Sequence, residues 1–321
     1  MTTFRARTRF ASRLFLVTLI SGLWAPSLVA APPEGESVVV SGFDTPESVL
    51  HDPVLDWYVV SNVGTGNPAA LDGNGFISTV SPAGTVLHLT WIQNGVGGAT
   101  LNGPKGLALS GQALYVADID TLRVFDRITG EPRRNVPLPN PFAPKPLFLN
   151  DVVVENDGTA YLTDTRNNAI FVVDRNDNAS VLVSGPQLGA PNGILIDRGS
   201  LSWVTFFGNQ IKRLTRSGEL LTEATVPAVD VSALGLPPGA MFLDGYVHHE
   251  GDLLVSSWVT GKVYRIGRSG HELETVASFV SALDNPFHPD GPADMGIDRR
   301  RNRLLIPLFN QGQLVMLTLQ H

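Results

Sequence analysis

Cysteine is absent from this chain of 321 residues, and methionine, tryptophan and tyrosine are scarce at four, five and five copies. Without a thiol, neither a disulfide nor a lipoprotein anchor can form. Positive charge is also short, with 23 Lys and Arg against 30 Asp and Glu. Such a chain is a poor partner for nucleic acid or an anionic membrane, whose phosphates need basic side chains. No long segment repeats its apolar residues near a period of 3.6, so no large amphipathic helix is expected. A P-loop, a Gly-x-Ser-x-Gly elbow and a His-Glu-x-x-His helix are all missing, which leaves nucleotide, serine and zinc hydrolysis without support. What the chain does have is 32 Gly, 23 Pro and few charges overall. That balance points to an all-β fold.

Residues 1–30 read as a removable leader. Arg5, Arg7, Arg9 and Arg13 precede the apolar stretch Leu14 to Leu23, and small residues end at Ala30. This is the layout of a secretory signal peptide, too short and too poorly flanked to prefer a stable membrane span. Loss of its four arginines leaves 19 basic residues against 30 acidic ones, a net charge of −11. Secretion without disulfides suits a bacterial periplasm, so a periplasmic or secreted protein is expected, with residues 31–321 as one domain.

A unit of about 49 residues then recurs six times. Each copy opens on a polar residue at the doorway of a hairpin: Glu47, Lys105, Asn150, Asn192, Asp244 and Asp294. After Asp244, for example, come a strand-like run, the turn Glu250-Gly251-Asp252, and a second run from Leu253 to Ser257. Two further strand-like runs follow most hairpins, including Leu220 to Val226 in the fourth unit; Pro132 to Leu149 reads as a Pro-rich loop. Four strands per unit of this length describe a propeller blade. Ser37 to Gly42 resembles a fourth strand, and the last unit stops after its third, Gln313 to Leu319. The expected fold is therefore a six-bladed β-propeller closed by pairing of its N-terminal strand with the last blade.

The first strand of a blade lines the propeller axis, so the six doorway residues converge on one face. Carboxylates and carboxamides without Cys or His make a hard-oxygen set, suited to calcium, magnesium or manganese. A hydrogen-bonded polar plug is the alternative, and Lys105 favours it, because an ammonium can stand in for a metal.

The Glu47 doorway, Asn150-Asp151, Pro191-Asn192-Gly193 and Leu243-Asp244-Gly245 resemble, in order and spacing, the motifs of the gluconolactonase/regucalcin family of six-bladed propellers. The resemblance implies one catalytic divalent cation, usually calcium, at the bottom of the axial pocket. Glu47, Asn192 and Asp244 would be ligands, Asn150 a ligand or substrate contact, and Asp244 also the general base or nucleophile in lactone hydrolysis. The chain departs from the family at Ser48-Val49, at Lys105, and at Phe148, which stands where an arginine often contacts a sugar-like substrate.

The expected function is hydrolysis of a small-molecule lactone or related ester, with Asn150, Lys105, His288 and Asp294 as candidate substrate contacts. A non-catalytic propeller binding a small ligand or partner protein through the same rim is the other reading. His288 is a candidate acid or base overhanging the pocket, or else an exposed loop histidine. His248 and His249 fall at a turn on the opposite rim, and Asp72 to Gly75 reads as a turn rather than a calcium loop.

Overall fold

The computed structural model describes residues 35–320 apart from 222–223, 227, 229, 238, 268–272 and 286–288. The expected leader and His288 thus lie outside the described residues. The chain folds into six antiparallel sheets of four strands each. Blade one comprises β2 (Pro46–Asp52), β3 (Trp57–Asn62), β4 (Phe76–Val80) and β5 (Val86–Gln93). Blade two comprises β6 (Pro104–Ser110), β7 (Ala113–Asp118), β8 (Thr121–Asp126) and β9 (Pro132–Pro137); blade three comprises β10 (Leu149–Val154), β11 (Ala160–Asp164), β12 (Ala169–Val173) and β13 (Ala179–Ser184). Blade four has β14 (Pro191–Asp197), β15 (Ser200–Thr205), β16 (Gln210–Leu214) and a short β17 (Ala224–Thr225); blade five has β18 (Leu243–His249), β19 (Asp252–Ser257), β20 (Lys262–Ile266) and β21 (Leu273–Ser278). Blade six takes β22 (Gly296–Asp298), β23 (Arg303–Leu308) and β24 (Gln313–Thr318) from the end of the chain, and its outer strand β1 (Ser37–Ser41) from the beginning. Val39 lies opposite Val315 in that closing pair.

The core is divided among the joints between blades. Along β7, Leu114 and Val116 pack towards blade one, whereas Ala113, Tyr115 and Ala117 pack towards blade three. A strand covered on both faces needs apolar residues at every position, which explains runs such as Leu-Tyr-Val-Ala. Six apolar clusters, one per joint, follow from that pattern. Turn chemistry sets the hairpins: Arg198-Gly199 and Glu250-Gly251 are two-residue loops with positive φ at both places. That backbone matches the twist of the flanking strands.

One expectation about strands needs correcting. Pro132 to Pro137 is β9, the outer strand of blade two, with its prolines at the two ends, where an edge strand tolerates a missing N–H. In the run from Leu220 to Val226 the described residues give a bridge from Leu220 to Leu214 and the two residues of β17, joined to the sheet through Gln210 and Ile211.

Candidate functional site

The doorway residues owe their position to a repeated β-bulge. In β2 the pairing passes from Pro46 opposite Asn62 to Val49 opposite Val60, with one residue in excess on β2. The same slip occurs at Pro104/Leu107, Leu149/Val152, Pro191/Ile194 and Leu243/Tyr246. A bulge frees its residues from the ladder and re-aims their side chains. The two bulged residues form two tiers. Glu47, Lys105, Asn150, Asn192 and Asp244 occupy the first, and Ser48, Gly106, Asp151, Gly193 and Gly245 the second. First strands of neighbouring blades touch in a closed cycle from β2 through β6, β10, β14 and β18 to β22, so both tiers line the axis.

Blade six departs from the expected register by one residue. Pro292 bridges Leu308 before Gly296 pairs with Leu305, which places Ala293 in the first tier and Asp294 in the second. Packing agrees, because a Cβ on Gly245 would lie 2.2 Å from Asp294 Oδ1, as one on Gly106 would from Asp151 Oδ1. These two glycines make room for the carboxylate of the next blade. Asp294 is held there by the Ser48 hydroxyl, which donates to its Oδ2 at 2.7 Å. Asp151 accepts from the backbone N–H groups of Val152 and Ile194 at 2.7 and 2.6 Å. The second tier is thus hydrogen-bonded.

Four side chains of the first tier are not. Glu47 Oε2, Asn150 Oδ1, Asn192 Oδ1 and Asp244 Oδ1 are buried oxygens with no hydrogen-bond partner. Their residues are only 1 to 6 % exposed. An unmet buried acceptor costs about 1–3 kcal/mol, more when charged, so four in one ring call for an explanation. Electrostatics sharpen the point. Burial, then the charges of Asp244 and Asp294, push the Glu47 carboxyl well above its ordinary range. Burial and Asp294 do the same to Asp244, and burial lifts Asp294 to about 7. Asp151 is raised as well, chiefly by burial.

Lys105 is tied off. Its Nζ donates to the carbonyl oxygens of Gly103 at 2.9 Å and Pro68 at 3.0 Å, and lies 4.5 Å from the Phe148 ring centre. Burial lowers the ammonium to about 8 against the pull of Glu47. Arg166, which sequence patterning did not single out, lies over the same ring at 4.8 Å. It follows β11 in a turn with no motif of its own. Ser48 stood out only as a departure from the family motif, whereas Asp151 was visible beside Asn150.

Other features lie apart from the axis. His248 and His249 end β18 on the opposite rim, where His249 Nε2 meets Asn302 Oδ1 at 2.6 Å. Asp72 caps its own turn through Asn74, and Met241 is core. A cavity of about 530 Å³ opens between blades four and five on that opposite rim, beside Arg213, Tyr246 and His248. Among the described residues, no three Asp, Glu, His or Cys side chains gather as a metal cluster. The unpartnered first-tier set is instead two carboxylates and two carboxamides.

No protein-family model matches the chain, and no curated protein does. Solved structures do. A candidate gluconolactonase is 15% identical with a TM-score of 0.59, covering 90% of this chain and 95% of its own. A streptogramin B lyase is 12% identical with a TM-score of 0.57, covering 88% and 97%. The virginiamycin B lyase of Staphylococcus aureus, solved as an inactive variant with quinupristin, is 16% identical with a TM-score of 0.55, covering 89% and 100%. The shared property is the propeller fold.

Proposed function

We propose that this protein is a secreted, divalent-cation-dependent hydrolase of lactones or related esters, with calcium as the cation. The observation that carries the reading is the ring of four unpartnered buried oxygens from Glu47, Asn150, Asn192 and Asp244. Their chemistry fits a hard cation: two carboxylate and two carboxamide oxygens, with two negative charges to balance it. A calcium ion held there would polarise a carbonyl oxygen and lower the pKa of a bound water. Asp244 is the candidate general base, since a carboxylate that lends one oxygen to the cation keeps a second to take the proton of an attacking water. The lactone C–O bond then breaks as the new one forms, and the proton passes to the departing alkoxide. Asp294, fixed by Ser48, supports Asp244 from the second tier, and the carboxamides of Asn150 and Asn192 orient without adding charge. The gluconolactonase and lyase neighbours lend the fold a precedent for catalysis, though fold alone assigns no reaction.

Calcium titration with thermal unfolding tests the reading. At about a hundredfold excess over Kd, a bound ion adds about 2.7 kcal/mol and raises Tm by a few degrees. Asn192→Ala and Asp244→Ala should abolish that rise and the turnover of a lactone panel. If calcium leaves Tm unchanged and no lactone is opened, the proposal fails. Stabilisation without turnover would instead identify a binding propeller.

A further inference from the structure

Phe206, Phe207 and Phe242 stand together on the axial rim between blades four and five. Phe206 and Phe242 stack with ring centres 4.8 Å apart, and Phe207 meets them edge-on at 5.3 and 5.6 Å. Phe207 is 63% exposed. Phe242 leans on a small rim cluster that includes Val231, Ala240 and Val259, whereas Phe206 and Phe207 belong to no apolar cluster among the described residues. Exposed aromatic surface of this kind marks a binding place more often than a packing need.

The backbone locates that place. Phe242 precedes Asp244 by two residues and sits at φ +49, an uncommon conformation for a bulky side chain. The same place holds Thr45 at φ +49 before Glu47 and Ala190 at φ +57 before Asn192. In each blade its carbonyl accepts a hydrogen bond from the residue that follows the second strand: Val63, Phe206 and Trp258 respectively. The repeat therefore needs the backbone shape, not a ring; a threonine or an alanine satisfies it. Phenylalanine at 242, next to phenylalanines at 206 and 207, builds an apolar wall from the segments that position Asn192 and Asp244.

From this we infer that the site takes lactones or esters bearing an apolar alkyl or aryl arm, which lies against Phe206, Phe207 and Phe242 while the reacting carbonyl faces Asp244. The inference rests on the hydrolase reading and names its substrate class. A polyhydroxylated lactone would leave the rings wet and its own hydroxyls without partners on that side. Phe148 extends the contrast, because its ring is already covered by Lys105 and Arg166.

The test compares γ-dodecalactone, γ-butyrolactone and glucono-δ-lactone on the calcium-loaded protein. The ratio of kcat/KM for the dodecalactone over the butyrolactone should exceed about tenfold, the effect of burying two methylenes. Phe242→Ala and Phe207→Ala should each reduce that ratio several-fold. Phe207 is exposed, so its variant carries the test if Phe242→Ala fails to fold. A ratio near one, a preference for the gluconolactone, or variants that keep the wild-type ratio would overturn the inference. Should calcium bind while no lactone is opened, the hydrolase reading falls separately. Calorimetric binding of γ-dodecalactone then decides: binding lost in both variants sustains the apolar subsite, and no binding to the wild type ends it.

Discussion

At the scale of single residues, the first tier shows a division of labour between charge and geometry. Asn150 and Asn192 supply oxygens at no cost in charge, which limits repulsion among Glu47, Asp244 and Asp294. Asn192→Asp should preserve calcium binding that Asn192→Ala loses, because the oxygen survives; calorimetry separates the two, and equal loss in both would remove Asn192 from the ligand set. Lys105 acts in the other direction. Its ammonium weakens the field of Glu47 while bonding to Pro68 and Gly103. Lys105→Met should therefore tighten calcium roughly fivefold, the Coulomb effect expected of a single charge across a wet cavity, while lowering Tm in the metal-free protein. Weaker calcium binding in Lys105→Met would mean that the amine shapes the site rather than opposing its occupant. Five of the six doorway residues were legible because each follows an apolar or Pro residue and precedes a strand. Asp294 misled by one place, since in Pro292-Ala293-Asp294 the doorway position is filled by alanine and only pairing reveals it.

At the scale of elements, the two rims are built differently. On the rim away from the doorways, charged side chains strap each blade to its neighbour. Arg127 of blade two pairs with Asp52 of blade one, Arg134 with Asp177 of blade three, and Arg216 of blade four with Glu155 of blade three. His248 faces Asp197 at 3.6 Å, Arg299 donates to the His248 carbonyl, and Arg301 of blade six pairs with Asp56 of blade one. Asp52 is the most enclosed of these acids. Burial alone would raise it, but its bonds from Arg127, Leu55 and Val54 outweigh that and hold it below its ordinary value. Asp298 is lowered in the same way by Arg301 and Tyr58 against burial. For carboxyls with lowered folded values, the added stability is complete above about pH 4 and is lost as pH falls through those values. Arg127→Met should cost about 3 kcal/mol at pH 7, measured by urea unfolding, because it strands a buried carboxylate. Part of that deficit should vanish as pH falls through the carboxylate range, because the stranded Asp52 of the variant takes up a proton there and the Arg127-bound one follows only at lower pH. A deficit independent of pH would show that Arg127 acts through packing alone. These straps were not legible from sequence, since Arg127 and Asp52 are 75 residues apart and neither sits in a motif. The strands were, wherever both faces are covered. They were missed at β9, an outer strand whose sequence is set by one covered face.

At the scale of the whole molecule, closure decides whether six sheets become one ring. β1 is the only strand in blade six drawn from the start of the chain, and it covers β24 from Ser37 opposite Leu317 to Ser41 opposite Gln313. Val40 and Phe43 go with it into the apolar cluster shared by blades six and one, beside Leu305, Leu314 and Met316. Gly312 receives the chain again, its carbonyl accepting from the N–H groups of Gly42 and Phe43. A chain starting at Asp44 would keep every doorway residue yet expose the edge of β24, and an open edge pairs with whatever strand it meets. It should unfold at a Tm at least several degrees lower and form oligomers on size-exclusion chromatography. Adding a synthetic peptide of residues 35–43 should restore much of the lost Tm by filling the edge in trans, as strand addition does elsewhere. Because the Asp294 N–H donates to the Glu47 carbonyl where blade six meets blade one, the shortened chain should also bind calcium more weakly, and the peptide should recover both properties together. Recovery of Tm without recovery of binding would separate ring closure from site assembly, and an unchanged, monomeric protein would show that the ring closes without β1.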